Sequence, residues 1–134
     1  MKSKHLAVIL TLAVLALFCA ITVSCASKPV VIPDDLTAAE MVQRAQEASD
    51  RNRYNVSLQY YETILQRYYY DMEYVCAAEY EIAFIHYKQK HYEQSKQGFN
   101  ALLERYNTPD RELLPPQYYI LARKILGTIA EIEN

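Results

Sequence analysis

Glycine is almost missing from this chain: there are two, Gly98 and Gly127, and they lie far apart. A glycine-rich phosphate loop or a dinucleotide fingerprint cannot be assembled from them, which excludes the usual nucleotide chemistries. A basic excess is also missing, since 14 Lys and Arg stand against 16 Asp and Glu for a net charge of −2. Nothing in that balance neutralises a phosphate backbone, so nucleic acid is not an expected partner. Tryptophan is absent, and a length of 134 residues leaves room for one domain. What stands out against these absences is tyrosine, with 13 residues in a chain that is 51% hydrophobic.

Lys2 and Lys4 precede an uncharged stretch from Leu6 to Ser27, the layout of a charged n-region and an apolar h-region, and this part is set aside from fold reasoning. The stretch runs into Thr22, Val23, Ser24 and Cys25, with a small residue directly before a cysteine. That ending resembles a bacterial lipoprotein signal, although Thr22 stands where the pattern usually has Leu. The resemblance implies that residues 1–24 are a signal peptide, that Cys25 becomes the lipidated first residue, and that residues 25–36 form a tether. The alternative is that the run stays uncleaved as an anchor, because roughly 20 apolar residues span a bilayer. Both outcomes keep Lys2 and Lys4 on the cytoplasmic side and export the chain beyond Cys25. Ala26 and Ser27 differ from the aspartate that retains such proteins at the inner membrane. The resemblance therefore implies a bacterial envelope location, at the outer membrane and facing the periplasm. Cys19 leaves with the signal and Cys25 carries lipid, so Cys76 is left without a disulfide partner. Its neighbours Val75, Ala77 and Ala78 make a buried small hydrophobe the expected role.

After Pro29 and Pro33 the chain reads as helix, and no strand-like alternation appears. Thr37 and Glu40 have capping-box spacing, which predicts a first helix from Ala38 to about Arg51. The segment from Tyr54 to Tyr68 aligns without gaps on the segment from Tyr92 to Tyr106, at an offset of 38 residues, with six of fifteen positions identical. Tyr54, Leu58, Tyr61, Leu65 and Tyr68 recur at intervals of four and three, so they share one helical face and are assigned to the core. Asn52 and Lys90, again 38 apart, mark short polar turns before the tyrosines. Each unit is thus expected to be two helices joined by a tight turn. A last helix is expected from about Pro116 to Ile132.

Ile82, Ala83, Tyr87, Tyr92, Ser95, Phe99, Leu102, Leu103 and Tyr106 carry a resemblance to the tetratricopeptide repeat family, at a period above the usual 34. The segment from Ala78 to Asn107 is similar to repeats of BamD-like outer-membrane lipoproteins and YbgF-like periplasmic proteins. The resemblance implies an all-α fold over residues 37–134: a right-handed α-solenoid of about two helix-turn-helix repeats plus a C-terminal closing helix. Arg44 departs from the pattern where the second unit has Ile82, so the first unit is either degenerate or wetter on its outer face.

No catalytic constellation is found. His86 and His91 are five residues apart, which does not match the i, i+4 pair of a zinc-binding helix, and they read as structural. Glu79 and Glu81 face different ways on a helix, and the serines have no nucleophile context. No enzyme activity, metal or cofactor is expected. In the helix from about Met72 to Gln89, Phe84 falls in the polar row with Glu73, Glu81 and Lys88, and an aromatic there is a candidate contact residue. The first helix of each pair lines the groove in the repeat family, and by that resemblance Tyr80, Phe84, Tyr87 and Lys88 form a partner-binding groove, extended by Tyr119 and Arg123. Of Tyr68, Tyr69 and Tyr70, at least one ring must be exposed. The expected function is a membrane-anchored periplasmic protein-protein interaction module, with protein partners in the envelope and possible homo-oligomers. The alternatives are a small-ligand-binding accessory with a tyrosine-lined cavity, and a self-associating structural lipoprotein.

Overall fold

The computed structural model describes residues 29–134. The signal-like segment, Cys19 and Cys25 lie outside the described residues. Among the described residues the fold is all-α: α1 (Ala38–Asp50), α2 (Tyr54–Arg67), α3 (Met72–Lys88), α4 (Tyr92–Arg105) and α5 (Pro116–Glu133), with a single 3₁₀ segment at Pro109–Leu113. None of these helices is long and apolar enough to cross a membrane.

Local chemistry explains where the helices start and stop. At α1 the predicted capping box is formed: the Glu40 amide donates to Thr37 Oγ1 at 3.3 Å and the Thr37 amide donates to Glu40 Oε2 at 2.9 Å. The Asp71 side chain accepts from the Glu73 amide at the start of α3. Asn52 and Lys90 sit at φ 57° and 62°. These left-handed residues reverse the chain within three residues, which folds α1 onto α2 and α3 onto α4. Pro116 supplies the fixed φ that suits the first position of α5.

The two stretches related by 38 residues bury corresponding side chains. Tyr61 and Phe99, Ile64 and Leu102, and Ser57 and Ser95 are all fully buried. One core cluster, around Met41, Ala45, Tyr61 and Ile64, joins α1, α2 and α3; a second, around Cys76, Ala83, Phe99 and Leu102, joins α3, α4 and α5. α3 serves both, so it is the central element. Among the described residues α1 meets no element on its outer side, and Arg44 is exposed there, while Ile82 of α3 packs on the first cluster. The departure at Arg44 is thereby explained by position: its face is wet because it lies at the edge of the helix array. As expected, Tyr69 and Tyr70 are exposed, at 69% and 67%.

Residues 29–36, the described part of the expected tether, are held against the helices by backbone contacts, while Asp34 and Asp35 stay exposed. The Val30 amide donates to Gln59 Oε1 at 2.8 Å, and Arg67 donates to the Pro33 and Ile32 carbonyls at 2.7 and 3.2 Å. The Tyr68 hydroxyl donates to the Leu36 carbonyl at 2.9 Å, and Val30 and Ile32 pack on the first core cluster. This segment therefore runs along α2 toward the start of α1.

Candidate functional site

Tyr80, Phe84 and Tyr87 lie three and four residues apart on α3, a spacing that stacks side chains along one side of a helix. Their rings form a ladder, with centroids 5.8 Å apart from Tyr80 to Phe84 and 5.7 Å from Phe84 to Tyr87, at interplanar angles of 16° and 18°. The ladder continues at both ends, to Tyr118 of α5 at 5.8 Å and to Tyr92 of α4 at 6.1 Å. Its members are not equally accessible. Tyr80 is only 7% exposed and also meets Phe99, so it is the floor of the row and not a contact residue in its own right. Burial pushes its hydroxyl up to about 12. Phe84 and Tyr87 are half-buried and present their outer edges.

Lys88 closes the row. Its ammonium lies 5.1 Å from the Tyr54 ring centroid and 5.3 Å from that of Phe84, and it donates to Ser49 Oγ. A cation shared by two ring faces is held electrostatically at a site that stays open to solvent. Beside it, burial raises the Glu81 carboxyl above the ordinary carboxylate range; the Lys88 charge opposes this and Asp50 adds to it. The row thus combines apolar ring edges with one fixed positive charge and one poorly solvated acid, on an open surface.

Tyr119 and Arg123 are not brought to this row. Arg123 Nη1 donates to the Tyr119 hydroxyl at 3.0 Å, and the Tyr119 ring packs on Tyr106 at 5.4 Å. Together with Asn107, Arg111, Glu112, Pro116 and Ile120, Tyr106 and Tyr119 line a cavity of about 550 Å³ beside the 3₁₀ segment. The six residues grouped by the sequence therefore fall into two places, one on α3 and one at the start of α5. The α5 residue that does reach the α3 ladder is Tyr118, one position earlier. Tyr54 and Ser49, which hold Lys88, carry no signal of that role in the sequence, because they belong to a different hairpin.

Of the other reactive groups, Cys76 is buried and Glu79 is ion-paired. Burial raises the Cys76 thiol, with the neighbouring Tyr106 hydroxyl partly opposing this, and keeps it from the thiolate form. The His86 and His91 rings lie 6.0 Å apart, and burial, then the charge of His91, lowers the proton affinity of His86. Arg105 holds Glu79 through two bonds of 2.7 and 2.6 Å, tying α4 to α3. Among the described residues no three His, Cys, Asp or Glu side chains converge in a metal-binding arrangement.

The chain is similar to an uncharacterized protein of Treponema pallidum (strain Nichols), with 34% identity over 100 residues that cover 73% of this chain and 40% of that protein. The chain thus spans well under half the length of that relative. No family model matches the chain. No solved structure matches it.

Proposed function

We propose that this protein is a lipid-anchored envelope scaffold whose tetratricopeptide-like helix hairpins hold a protein partner on the α3 row. The single observation that carries this reading is the Tyr80–Phe84–Tyr87 ladder ending at Lys88 on an open surface. Ring edges give contact area with few rotors to freeze, and aromatic rings are enriched at interface centres, while an exposed cation held over two of those rings gives orientation. Attachment through Cys25 would confine the module to the membrane surface and raise the local concentration of its partner. The similarity to BamD-like and YbgF-like repeats supports a place in outer-membrane or envelope complex assembly, with no catalysis of its own. Repeat folds serve many functions, so the partner is defined by the surface and not by the fold.

Affinity purification from membranes tests this reading. Phe84→Ala and Lys88→Glu are expected to lower recovery of the co-purifying protein, while thermal melts show the domain still folded. Equal recovery from both variants would sink it. Cys25→Ser is expected to move the protein out of the membrane fraction, and unchanged fractionation would remove the lipid anchor. One observation favours the accessory-binding reading: two tyrosines, Tyr106 and Tyr119, line the cavity of about 550 Å³, which is within the range of small-molecule sites. Tyr119→Ala separates the two, because it alters the cavity and leaves the α3 row intact.

A further inference from the structure

The outward row of α5 takes no part in the α3 interface. Ala122 and Ile129 are fully buried, and Tyr118, Ile125 and Leu126 pack on the second core cluster. At 3.6 residues per turn the opposite row runs through Ile120, Arg123, Lys124, Gly127 and Glu131. All five are exposed, Ile120 at 65%. A Cβ added at Gly127 would meet no heavy atom within 4 Å, so the described residues leave this row open. α1 likewise turns the polar Gln43, Arg44 and Glu47 outward, but it contains no glycine and no counterpart of the exposed Ile120 among them. Glycine is unfavourable inside a helix, and no contact among the described residues requires it at position 127.

The charges on the row say what fits there. Among the described residues Arg123, Lys124 and Glu131 have no ion-pair partner, whereas Glu133 is taken by Lys96. Arg123 and Glu131 lie four residues to either side of Gly127, about 6 Å each way at 1.5 Å per residue. A second α5 laid antiparallel with its own Gly127 at the crossing therefore sets Arg123 against the second copy's Glu131, and the reverse. Lys124 falls beside the same carboxylate, and Ile120, seven residues from Gly127 and about 10.5 Å along the axis, lies at the end of the contact against the second copy's C-terminal turn. A parallel arrangement would instead oppose like charges.

We infer that α5 is a homodimer contact, in which a second copy of this chain packs antiparallel across Gly127 about a two-fold axis. The contact is isologous and so closes at two copies. One helix face buries less area than a standard stable interface, so the dimer is weak in dilute solution and forms where the chain is concentrated. It is separate from the α3 row, and either can fail without the other.

The test uses the full chain, expressed as two differently tagged copies with p-benzoylphenylalanine installed at Ile120 and irradiated in cell membranes. An adduct carrying both tags is expected. Glu131→Arg should lower its yield about fivefold or more, and adding Arg123→Glu with Lys124→Glu should restore it, since the ion pairs are then exchanged. Gly127→Leu, whose Cβ meets nothing within 4 Å, should not lower the thermal melt and should remove the adduct. The proposal is overturned by any of three results: a mixed-tag yield no greater than with the probe at Gln43 of α1, an adduct within one chain or to another protein instead, or a yield indifferent to the charge exchanges.

Discussion

The two glycines permit one substitution, Gly to Ala, with different outcomes at two helix-interior sites. Ala is favoured over Gly in a helix by about 1 kcal/mol wherever the methyl has room. At Gly127 of α5 it has room, because no heavy atom lies within 4 Å of a new Cβ. Gly127→Ala should therefore stabilise the fold by about 0.5–1 kcal/mol. At Gly98 of α4 the new Cβ would lie 2.8 Å from the Ala83 Cβ of α3 and 3.4 Å from its Cα. Ordinary carbon contacts are about 3.5–4.0 Å, so α3 and α4 would have to part by several tenths of an ångström. Ala83 is fully buried and its Cβ is fixed to the backbone, so no rotamer change relieves the overlap. Overpacking of this kind costs about 1–3 kcal/mol, which cancels the propensity gain of about 1 kcal/mol and leaves a net loss of up to about 2 kcal/mol. At roughly 4 °C per kcal/mol for a domain of this size, Gly127→Ala should raise Tm by about 3 °C, whereas Gly98→Ala should give no rise and a fall of up to about 8 °C. Thermal unfolding followed by circular dichroism at low protein concentration reads both. In the double variant Gly98→Ala with Ala83→Gly the overlap is gone, so the two changes should be non-additive by about 1 kcal/mol or more. Equal upward shifts for the two single variants, or strict additivity in the double, would refute the close-approach argument.

The buried polar groups and the docked segment give three further outcomes. Tyr61 is fully buried, its hydroxyl has no partner among the described residues, and Phe99 fills the matching position in the other hairpin. Tyr61→Phe should thus raise stability by about 1 kcal/mol in chemical denaturation, and a comparable loss would reveal a partner for the hydroxyl. Glu81 binds its proton more tightly folded than unfolded, chiefly through burial, with Lys88 opposing and Asp50 adding. Its contribution is harmless where the carboxyl is protonated in both states and turns unfavourable as pH rises through the folded-state value. Glu81→Gln should therefore match the wild type in acid and exceed it at neutral pH, so parallel stability curves would contradict the assignment. Arg67→Ala removes the bonds to the Ile32 and Pro33 carbonyls. Amide exchange at Val30 should then speed up about tenfold while the helix cores hold, and unchanged exchange would mean that Arg67 does not secure the segment.

The parts of this fold that were legible in the sequence are those governed by local rules. Thr37 and Glu40 satisfy each other within one turn, so their spacing alone locates the start of α1. Asn52 and Lys90 read as turn residues because a polar residue interrupts each apolar stripe, and both adopt the left-handed conformation that the reversal needs. What periodicity cannot resolve is a rotation of one residue, about 100° around a helix. Tyr118 and Tyr119 are adjacent and chemically identical, and only the packing of α5 decides that Tyr118 reaches Tyr80 while Tyr119 turns to Tyr106. The cage around Lys88 was illegible for a different reason. Its rings come from α2 and α3 and its hydroxyl from α1, three elements whose approach is a property of the whole array.

Arg67 and Arg105 show why internal similarity describes the core better than it describes the surface. They occupy the same position of two similar helices, 38 residues apart. Arg105 grips Glu79 of the adjoining helix through a bidentate pair, whereas Arg67 binds the Ile32 and Pro33 carbonyls and Asp34 of the segment before α1. Each guanidinium takes whatever acceptor its neighbour supplies, because its planar donor fork fits carboxylates and carbonyls alike. Buried positions have no such freedom: Tyr61 and Phe99 fill equivalent spaces and differ only by a hydroxyl. A surface row repeated between the hairpins would therefore predict little about binding. The α3 row has no counterpart on α1, where the positions 38 residues earlier are Val42, Gln46, Ser49 and Asp50, with no ring among them. On the proposed reading, that asymmetry would place recognition on α3, which among the described residues packs into both core clusters, so that its ring positions are held from two sides at once.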